Sequence, residues 1–186
     1  MIELPENPLT VTEVMTALAD MESRSEQAAA RLPETERTDP MWDGLVFSVA
    51  GVRLVCAMTE ISEMLPHREH VVRVPGTKPW VLGLSNVRGS LLPIVDLQVY
   101  LGGKAIVPSK AARILVLRLR GLVVGLLVPS VQGMRHFSLE NKLPDARIKG
   151  ALGAYVYEAF SVKDNVFPVI SMQALVADPE FRSAAA

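Results

Sequence analysis

The side chains that most often perform catalysis or bind metals are few in this sequence and lie far apart. Its three histidines, His67, His70 and His136, have neither the spacing nor the cysteine or carboxylate neighbours of a metal site. The single cysteine, Cys56, lies in an apolar run. Structural zinc sites use paired Cys or His ligands at short spacing, so we expect no metal site and no cofactor.

Nucleophile and nucleotide-binding motifs are not recognisable either. Ser85 follows Gly83, but the second glycine that a serine nucleophile elbow requires two residues later is replaced by Val87. Lys104 follows two glycines that are better explained as the end of a short helix than as a phosphate-binding loop. Catalysis needs acids and bases that converge, and most carboxylates of the β region stand alone. The sequence therefore predicts a protein that is not an enzyme.

Basic residues are concentrated in the second half of the chain and leave one alternative function open. Small β-barrels bind single-stranded nucleic acid when basic residues are interleaved with aromatic residues on which bases stack. Only Phe137 lies among these basic residues, so a solvated face or a surface for acidic proteins is the better interpretation. The basic residues are Arg113, Arg118, Arg120, Arg135, Lys142, Arg147 and Lys149.

The distribution of charge divides the chain into two parts. Residues 1–43 contain ten acidic and three basic residues, a formal charge of −7, whereas residues 44–186 contain ten acidic and sixteen basic residues, a charge of +6. Hydrophobic residues make up 49% and charged residues 21% of the chain, as in soluble globular proteins. One cysteine forms no internal disulfide, and no apolar segment reaches the roughly 18 residues of a membrane span. We therefore expect a cytoplasmic protein.

The acidic N-terminal part predicts a helix followed by a linker. Thr10 precedes Glu13 by three residues, as in a capping box, and apolar residues then recur at helical spacing as far as Met21. Pro33 is expected to end the helix. The predicted divisions are an N-terminal helix and acidic linker over 1–41, a β domain over 42–178 and a C-terminal tail over 179–186.

Beyond residue 42, short apolar runs alternate with glycine and proline, a pattern typical of β structure. Gly51 and Gly121 are expected to form the turns of two hairpins. Pro93 and Pro168 cannot donate to a ladder, so each is expected at a strand edge or in the first residues of its strand. The predicted strands are Leu45–Val49, Arg53–Met58, Val71–Val74, Leu91–Val95, Ile114–Leu119, Val123–Val128, Tyr155–Val162 and Val166–Ile170.

A weak internal repeat indicates that the β domain consists of two similar halves. Residues 46–55 align with residues 116–125 with their glycines in register, and residues 92–98 align with residues 167–173. Each half opens with a hairpin and closes with an apolar-Pro-apolar-apolar strand that runs into a short helical turn. This organisation favours two small barrels packed side by side, since closure removes exposed strand edges.

Residues 79–97 carry the most distinctive pattern of the sequence. Asn86 and Gly89 suit a tight turn, and Arg88 between them presents five hydrogen-bond donors in a planar fork. An arginine fixed in this way is expected to bind a partner, to form a structural salt bridge, or both. Glu60 is the best candidate for the salt bridge.

The same segment resembles the signature of CheW-like domains. Its pattern is an apolar run with glycine, then Asn-apolar-Arg-Gly, then apolar-Pro-apolar-apolar-Asp-Leu. The aspartate of this pattern, Asp96, is expected to cap a helical turn that begins at Leu97. The resemblance extends from Leu45 to about Leu175, and it includes Glu60 after the second strand.

The resemblance implies a mainly β fold of two five-stranded, SH3-like barrels. Their shared groove would receive the hairpin tip of a chemoreceptor coiled coil. The positions implied at or near this receptor-binding groove are Met58, Arg88 and Gly125, and those implied to support it are Glu60, Asn86 and Gly89.

The resemblance also implies two partners for a scaffold that performs no chemistry. They are the cytoplasmic tip of a methyl-accepting chemoreceptor and the regulatory domain of a CheA-like histidine kinase, assembled in arrays at the membrane. The acidic N-terminal extension and the stretch Val74–Trp80 are similar to family members that act in systems controlling type IV pili and twitching motility.

Overall fold

The structure is a computed structural model that describes residues 41–67 and 71–183. The helix predicted from Thr10 and the linker that follows it lie outside the described residues. Residues Asp39–Ala186 form one compact unit. The description below concerns this unit alone.

The compact unit consists mainly of short strands, as the sequence predicts. Its helices are α1 (Leu97–Tyr100), α2 (Met172–Ala177) and α3 (Pro179–Arg182). No helix among the described residues is both long enough and apolar enough to cross a membrane. The strands are β1 (Met41–Val49), β2 (Val52–Ala57), β3 (Glu63–Pro66), β4 (Val81–Val87), β5 (Ser90–Asp96), β6 (Arg113–Leu119), β7 (Leu122–Val128), β8 (Ser130–Ser138), β9 (Lys142–Pro144), β10 (Val156–Val162) and β11 (Asn165–Ile170).

The strands form two sheets. Sheet A has six strands in the order β8-β1-β2-β11-β10-β9, and sheet B has five in the order β3-β6-β7-β5-β4. Sheet B has the predicted number of strands, and sheet A has one more because Lys142–Pro144 pairs with β10. The segment that corresponds to β9 in the first half of the repeat makes a single bridge to sheet B, between Val72 and Leu84.

The internal repeat is present in the structure, but the two hairpins are exchanged between its halves. Hairpin β1–β2 belongs to the first half and pairs with β8 and β11 of the second, whereas β6–β7 of the second half pairs with β3 and β5 of the first. The parallel pairs Val55 with Val169 and Gly125 with Ile94 are equivalent by the repeat. Each sheet therefore contains strands from both halves, so neither subdomain of the predicted fold is built from one half alone.

Both predicted hairpin turns are confirmed. Ala50 and Gly51 have φ values of 50° and 78°, and Arg120 and Gly121 have values of 50° and 75°. Two consecutive residues with positive φ are typical of the two-residue turns whose twist matches that of the adjoining strands. Glycine at the second position carries no Cβ and adopts this conformation at little cost.

Apolar side chains on both faces of the sheets form three clusters. The largest joins sheet A to sheet B and includes Phe47, Leu54, Leu117, Leu126 and Ile170, all fully buried. Smaller clusters lie within sheet B and within sheet A. Burying one such side chain contributes about 1.5–3 kcal/mol, so these clusters are the main source of stability.

The two signature prolines lie in the middle of their strands, contrary to the expectation of an edge or first position. Pro93 is opposite Leu84, whose own N–H and C=O bond to Val72 on its other side. The nitrogen of Pro93 therefore faces β7, where the parallel ladder begins one residue later at Ile94. Pro168 likewise precedes the β11–β2 pair at Val169. Each proline lies where its nitrogen has no ladder partner to lose.

Several strands were not predicted, and one prediction was wrong. Val71–Val74 contains an isolated bridge at Val72 and no strand. Strands β3, β4, β8 and β9 were missed. Strand β8 is an edge strand with a single buried residue, and β4 contains Gly83 and a polar pair, so neither has the apolar run that indicates a buried strand.

A hydrogen-bonded chain of hydroxyls ties the C-terminal helices to α1. The Tyr155 hydroxyl donates to Asp178 Oδ2 over 2.6 Å and lies 2.8 Å from the Tyr100 hydroxyl oxygen. Phe181, in the segment predicted to be a tail, is buried with its ring edge-on to Tyr100. The C-terminal segment is thus part of the packed unit as far as α3.

The hydrogen bond from Tyr155 lowers the pKa of Asp178 below its ordinary value, and the backbone N–H of Glu180 contributes in the same direction. A lowered folded-state pKa stabilises the fold above about pH 4 and this contribution is lost as the pH falls further. We expect Asp178→Asn to unfold at a lower temperature than the unmodified protein at pH 7 and the gap to narrow below pH 4. Thermal unfolding between pH 7 and pH 2.5 measures this, and a gap that is constant with pH contradicts it.

Candidate functional site

The signature turn between β4 and β5 presents Arg88 at the end of sheet B. Val87 pairs with Ser90, and the two residues between them, Arg88 and Gly89, have φ values of 51° and 82°. The side chain of Asn86 stabilises the turn because its Oδ1 accepts a hydrogen bond from the Gly89 N–H over 3.0 Å. Asn86 and Gly89 therefore have the turn-forming role predicted for them.

The guanidinium group of Arg88 forms an ion pair with Glu63, not with Glu60 as predicted. Arg88 Nη2 lies 2.6 Å from Glu63 Oε1, and the two side chains are 78% and 23% exposed. Glu63 is the first residue of β3, and Arg88 follows β4, the strand at the opposite end of the sheet order. The ion pair therefore links the two terminal strands of sheet B.

Two adjoining depressions share Arg88. The larger, of about 280 Å³, is called the Arg88 groove here, and the smaller, of about 100 Å³, shares Val87 and Arg88 with it. Exposed apolar side chains border the larger one, with Leu91 69% and Val123 37% exposed. The Arg88 groove is lined by Glu63, Val87, Arg88, Ser90, Leu91, Leu92, Val116, Arg118 and Val123.

The Arg88 groove combines apolar contact area with charged groups at its border. Leu91 is among the most exposed large hydrophobic residues described, and Arg118 provides a second cation. Apolar area with a few oriented polar groups is typical of protein interfaces, where desolvated apolar residues contribute affinity and charged residues orient the partner. The arrangement suits binding of an amphipathic protein segment.

Glu60 supports the fold at a different place. Its carboxylate accepts hydrogen bonds from the backbone N–H groups of Met172 and Gln173, over 3.3 and 3.1 Å. These residues form the N-terminus of α2, where unpaired N–H groups and the helix dipole favour a negative charge. The sequence prediction failed because a glutamate three residues further along, Glu63, lies opposite Arg88.

Replacing Glu60 by alanine tests its role at α2. We expect the free energy of unfolding to fall by about 1–2 kcal/mol, since two N–H groups lose a charged acceptor. Glu60→Gln, which keeps an acceptor oxygen without the charge, is the control and should have a smaller effect. Thermal denaturation followed by circular dichroism measures both. Loss of partner binding by Glu60→Ala without a lower melting temperature would instead restore a role for Glu60 at the groove.

The other two positions implied at the groove lie below the surface or apart from it. Gly125 is buried in β7, and a Cβ built on it lies 2.7 Å from Ile114 Cγ2 and 3.2 Å from Leu92 Cδ2. It therefore supports the Arg88 groove from beneath, through Leu92. Met58 is half-buried at the start of a 3-10 turn and packs against the main core. The participation of both in receptor binding stays a prediction.

The groups considered for chemistry are dispersed or occupied. The Cys56 thiol is buried, and burial raises its pKa far above the ordinary value, so it stays protonated. His136 Nδ1 pairs with Asp43 Oδ1 over 2.5 Å at the exposed border of β8. Among residues 41–67 and 71–183 no three His, Cys, Asp or Glu side chains lie close enough to hold a metal ion.

Asp96 is the buried polar centre beneath the signature. Its side chain is 1% exposed, and Oδ1 accepts from the N–H groups of Gln98 and Val99 at the start of α1, each over 3.0 Å. Oδ2 accepts from the Ile106 N–H over 2.8 Å, and this bond holds the loop between α1 and β6 against the end of β5. The predicted helix cap is confirmed, and the bond to Ile106 could not be inferred from local spacing.

Comparisons with known proteins agree with this geometry. Residues 43–180 match the model of the CheW-like domain. Protein PilI of Pseudomonas aeruginosa is 34% identical over 167 residues, which cover 88% of this chain and 92% of that protein. A probable chemotaxis protein CheW of Rhizobium etli is 30% identical over 112 residues, 60% of this chain and 72% of that protein.

A solved structure has the same fold. The crystal structure of the scaffolding protein TtCheW from Thermoanaerobacter tengcongensis superposes with a TM-score of 0.63 at 22% identity. It covers 72% of this chain and 90% of that one. The solved structure supports the fold, and the family model together with the relatives at 30% identity or above shows the family. The chain therefore belongs to the CheW-like family of chemosensory adaptor proteins.

Proposed function

We propose that the protein is a non-catalytic scaffold that couples the cytoplasmic tip of a methyl-accepting chemoreceptor to a CheA-like histidine kinase. The observation that carries the proposal is the Arg88 groove, formed by the family signature itself. A receptor tip is a helical hairpin with an amphipathic surface, and exposed Leu91 and Val123 offer apolar contact to it. Arg88 and Arg118 at the border attract acidic side chains and set the orientation of docking.

Coupling requires that the scaffold bind both partners at once. If binding of the receptor changes the affinity of the scaffold for the kinase by some factor, binding of the kinase changes the affinity of the scaffold for the receptor by the same factor. The scaffold then shifts the population of kinase states without any chemical step of its own. The rigid connection needed for this is supported by the main apolar cluster, which joins sheet A to sheet B.

The similarity to Protein PilI supports a more specific pathway. That protein matches 88% of this chain, which is more than residues 43–186 alone make up, so the match reaches into the N-terminal extension, whereas the CheW relative from Rhizobium etli matches 60% of the chain. We therefore infer a role in a chemosensory system that controls type IV pili and twitching motility. Deleting the gene is expected to abolish twitching on agar while pilus subunits are still produced.

Binding measurements with purified components test the coupling directly. The full chain is mixed with the regulatory domain of the kinase encoded in the same system and with a receptor cytoplasmic fragment. We expect binding to each partner alone and a ternary complex in size-exclusion chromatography. Failure to bind either partner contradicts the proposal.

Binding of single-stranded nucleic acid remains the alternative function, and the basic residues of the second half do not favour it. Arg113 donates to the backbone carbonyls of Lys110 and Ala112, and Lys142 pairs with Glu158. Phe137, the aromatic residue among them, is 1% exposed and has no face free for a base. A gel-shift experiment at low salt with an oligothymidine strand distinguishes the two functions.

A further inference from the structure

Sheet A holds an arginine pair that is distinct from the Arg88 groove. One face of the sheet carries an aromatic cluster in which Phe137 stacks on Phe160 at 4.9 Å and meets Phe167 edge-on at 5.5 Å. Arg53 lies two residues before Val55, and Arg135 two residues before Phe137, so each shares the face of a cluster residue.

Both guanidinium groups lie over the same ring. The Arg53 Cζ is 5.6 Å and the Arg135 Cζ 4.9 Å from the centroid of Phe167, which is itself 2% exposed. Because both distances are measured to the same centroid, the separation of the two Cζ atoms cannot exceed their sum. Cation–π contact of this kind holds a guanidinium in place while its N–H groups stay available.

Arg53 is further oriented by a hydrogen bond. Its Nη2 donates to Asn165 Oδ1 over 2.7 Å, and Asn165 begins the strand that contains Phe167. Nearby in β1 and β8, Gln132 donates to Ser48 Oγ over 2.9 Å. Ser48 is opposite Arg53 in the β1–β2 ladder. The surroundings of the arginine pair are therefore polar and hydrogen-bonded.

Neither arginine has an anionic partner within the described part of the chain. The ion pairs there involve Arg88, His136 and Lys142. Two cations held over one ring repel each other, and this repulsion is relieved when an anion binds to both. An oriented pair of guanidinium forks matches carboxylate groups, which accept two N–H bonds from each fork.

We propose that Arg53 and Arg135 form a binding site for the carboxylates of an acidic protein segment. This site lies on sheet A and goes beyond the proposed function, which concerns sheet B. Both arginines are exposed, and they line neither the Arg88 groove nor the smaller depression beside it. A protein surface therefore suits the pair better than a small ligand does. Nucleic acid suits it less, because Phe167 is buried and cannot stack on a base.

Fluorescence anisotropy with a labelled peptide of six Glu-Ser repeats tests the site, with six Gln-Ser repeats as the neutral probe. We expect saturable binding of the Glu peptide by the full chain and none of the Gln peptide. Arg53→Gln and Arg135→Gln should each weaken binding by about tenfold, the effect of losing a charge-assisted hydrogen bond. Asn165→Ala, which keeps every charge, should weaken it by a smaller factor because Arg53 loses its orientation.

Arg182→Gln is the matched control, since it removes the same charge from an exposed arginine of α3 that lines no part of the Arg88 groove and belongs to neither sheet. It should leave binding within about twofold. Equal weakening by Arg182→Gln and Arg53→Gln would show that net charge alone attracts the peptide, and would overturn the proposal. So would absence of saturable binding, or tighter binding of a 20-nucleotide oligothymidine than of the Glu peptide. Melting temperatures of all variants should agree within a few degrees, because these side chains are exposed.

Discussion

Asp96→Ala is expected to lower the free energy of unfolding by about 3–4 kcal/mol, the sum of a lost helix cap and an unpaired buried N–H. The carboxylate is 1% exposed and accepts from Gln98, Val99 and Ile106. Alanine accepts none of these bonds, and water does not easily reach the buried donors. The melting temperature should fall by about 10 °C for a domain of this size, as measured by circular dichroism.

The internal repeat supplies a matched control for Asp96. Ser171 is equivalent to it and caps α2, but it accepts a single hydrogen bond, from the Ala174 N–H over 3.1 Å. Ser171→Ala should therefore cost only about 1 kcal/mol, as a simple cap does. Asp96→Asn, which keeps one carbonyl oxygen, should lie between the two. If Asp96→Ala were no more destabilising than Ser171→Ala, the bond that fastens Ile106 would not be important.

The repeat also shows which features can be predicted from local sequence. The hairpin turns at Gly51 and Gly121 and the helix cap at Asp96 each depend on a few neighbouring residues, and all three are confirmed. The main β strands follow from apolar runs for the same reason. Their side chains are buried whichever strand lies beside them.

Strand pairing could not be predicted in this way. The alignment of residues 46–55 with 116–125 indicates two similar hairpins, but similar hairpins fit either half equally well. The exchange seen in the structure places Val55 beside Val169 and Gly125 beside Ile94, contacts between residues far apart in sequence. Edge strand β8 was missed because solvent covers much of it, and an exposed strand needs no apolar run.

The candidate site shows the same limit. The turn that presents Arg88 was predicted from its own residues, and the structure confirms it. Its partner was not, because Glu60 and Glu63 are separated by only three residues, and only the pairing of β3 with β6 decides which of them reaches the turn. Leu91 was not singled out as a groove residue, since a leucine in a strand is ordinarily buried.

Arg88→Ala is expected to weaken binding of the receptor fragment by at least about tenfold while leaving the fold intact. The side chain is 78% exposed, so its ion pair with Glu63 contributes at most about 1 kcal/mol to stability. A guanidinium that docks a partner's carboxylate contributes more, because the interface excludes water from the contact. Isothermal titration calorimetry with the receptor fragment measures the loss, and circular dichroism should show a melting temperature within a few degrees of the unmodified protein.

Glu63→Gln separates direct contact from positioning. It removes the charge that holds Arg88 but keeps the arginine, so a guanidinium that contacts the receptor should still bind, with a loss of less than about threefold. Equal losses for Glu63→Gln and Arg88→Ala would mean that the ion pair between the terminal strands shapes the groove and that Arg88 does not itself touch the receptor. Undiminished binding by Arg88→Ala would exclude both roles, and the receptor surface would then have to be sought elsewhere on the domain.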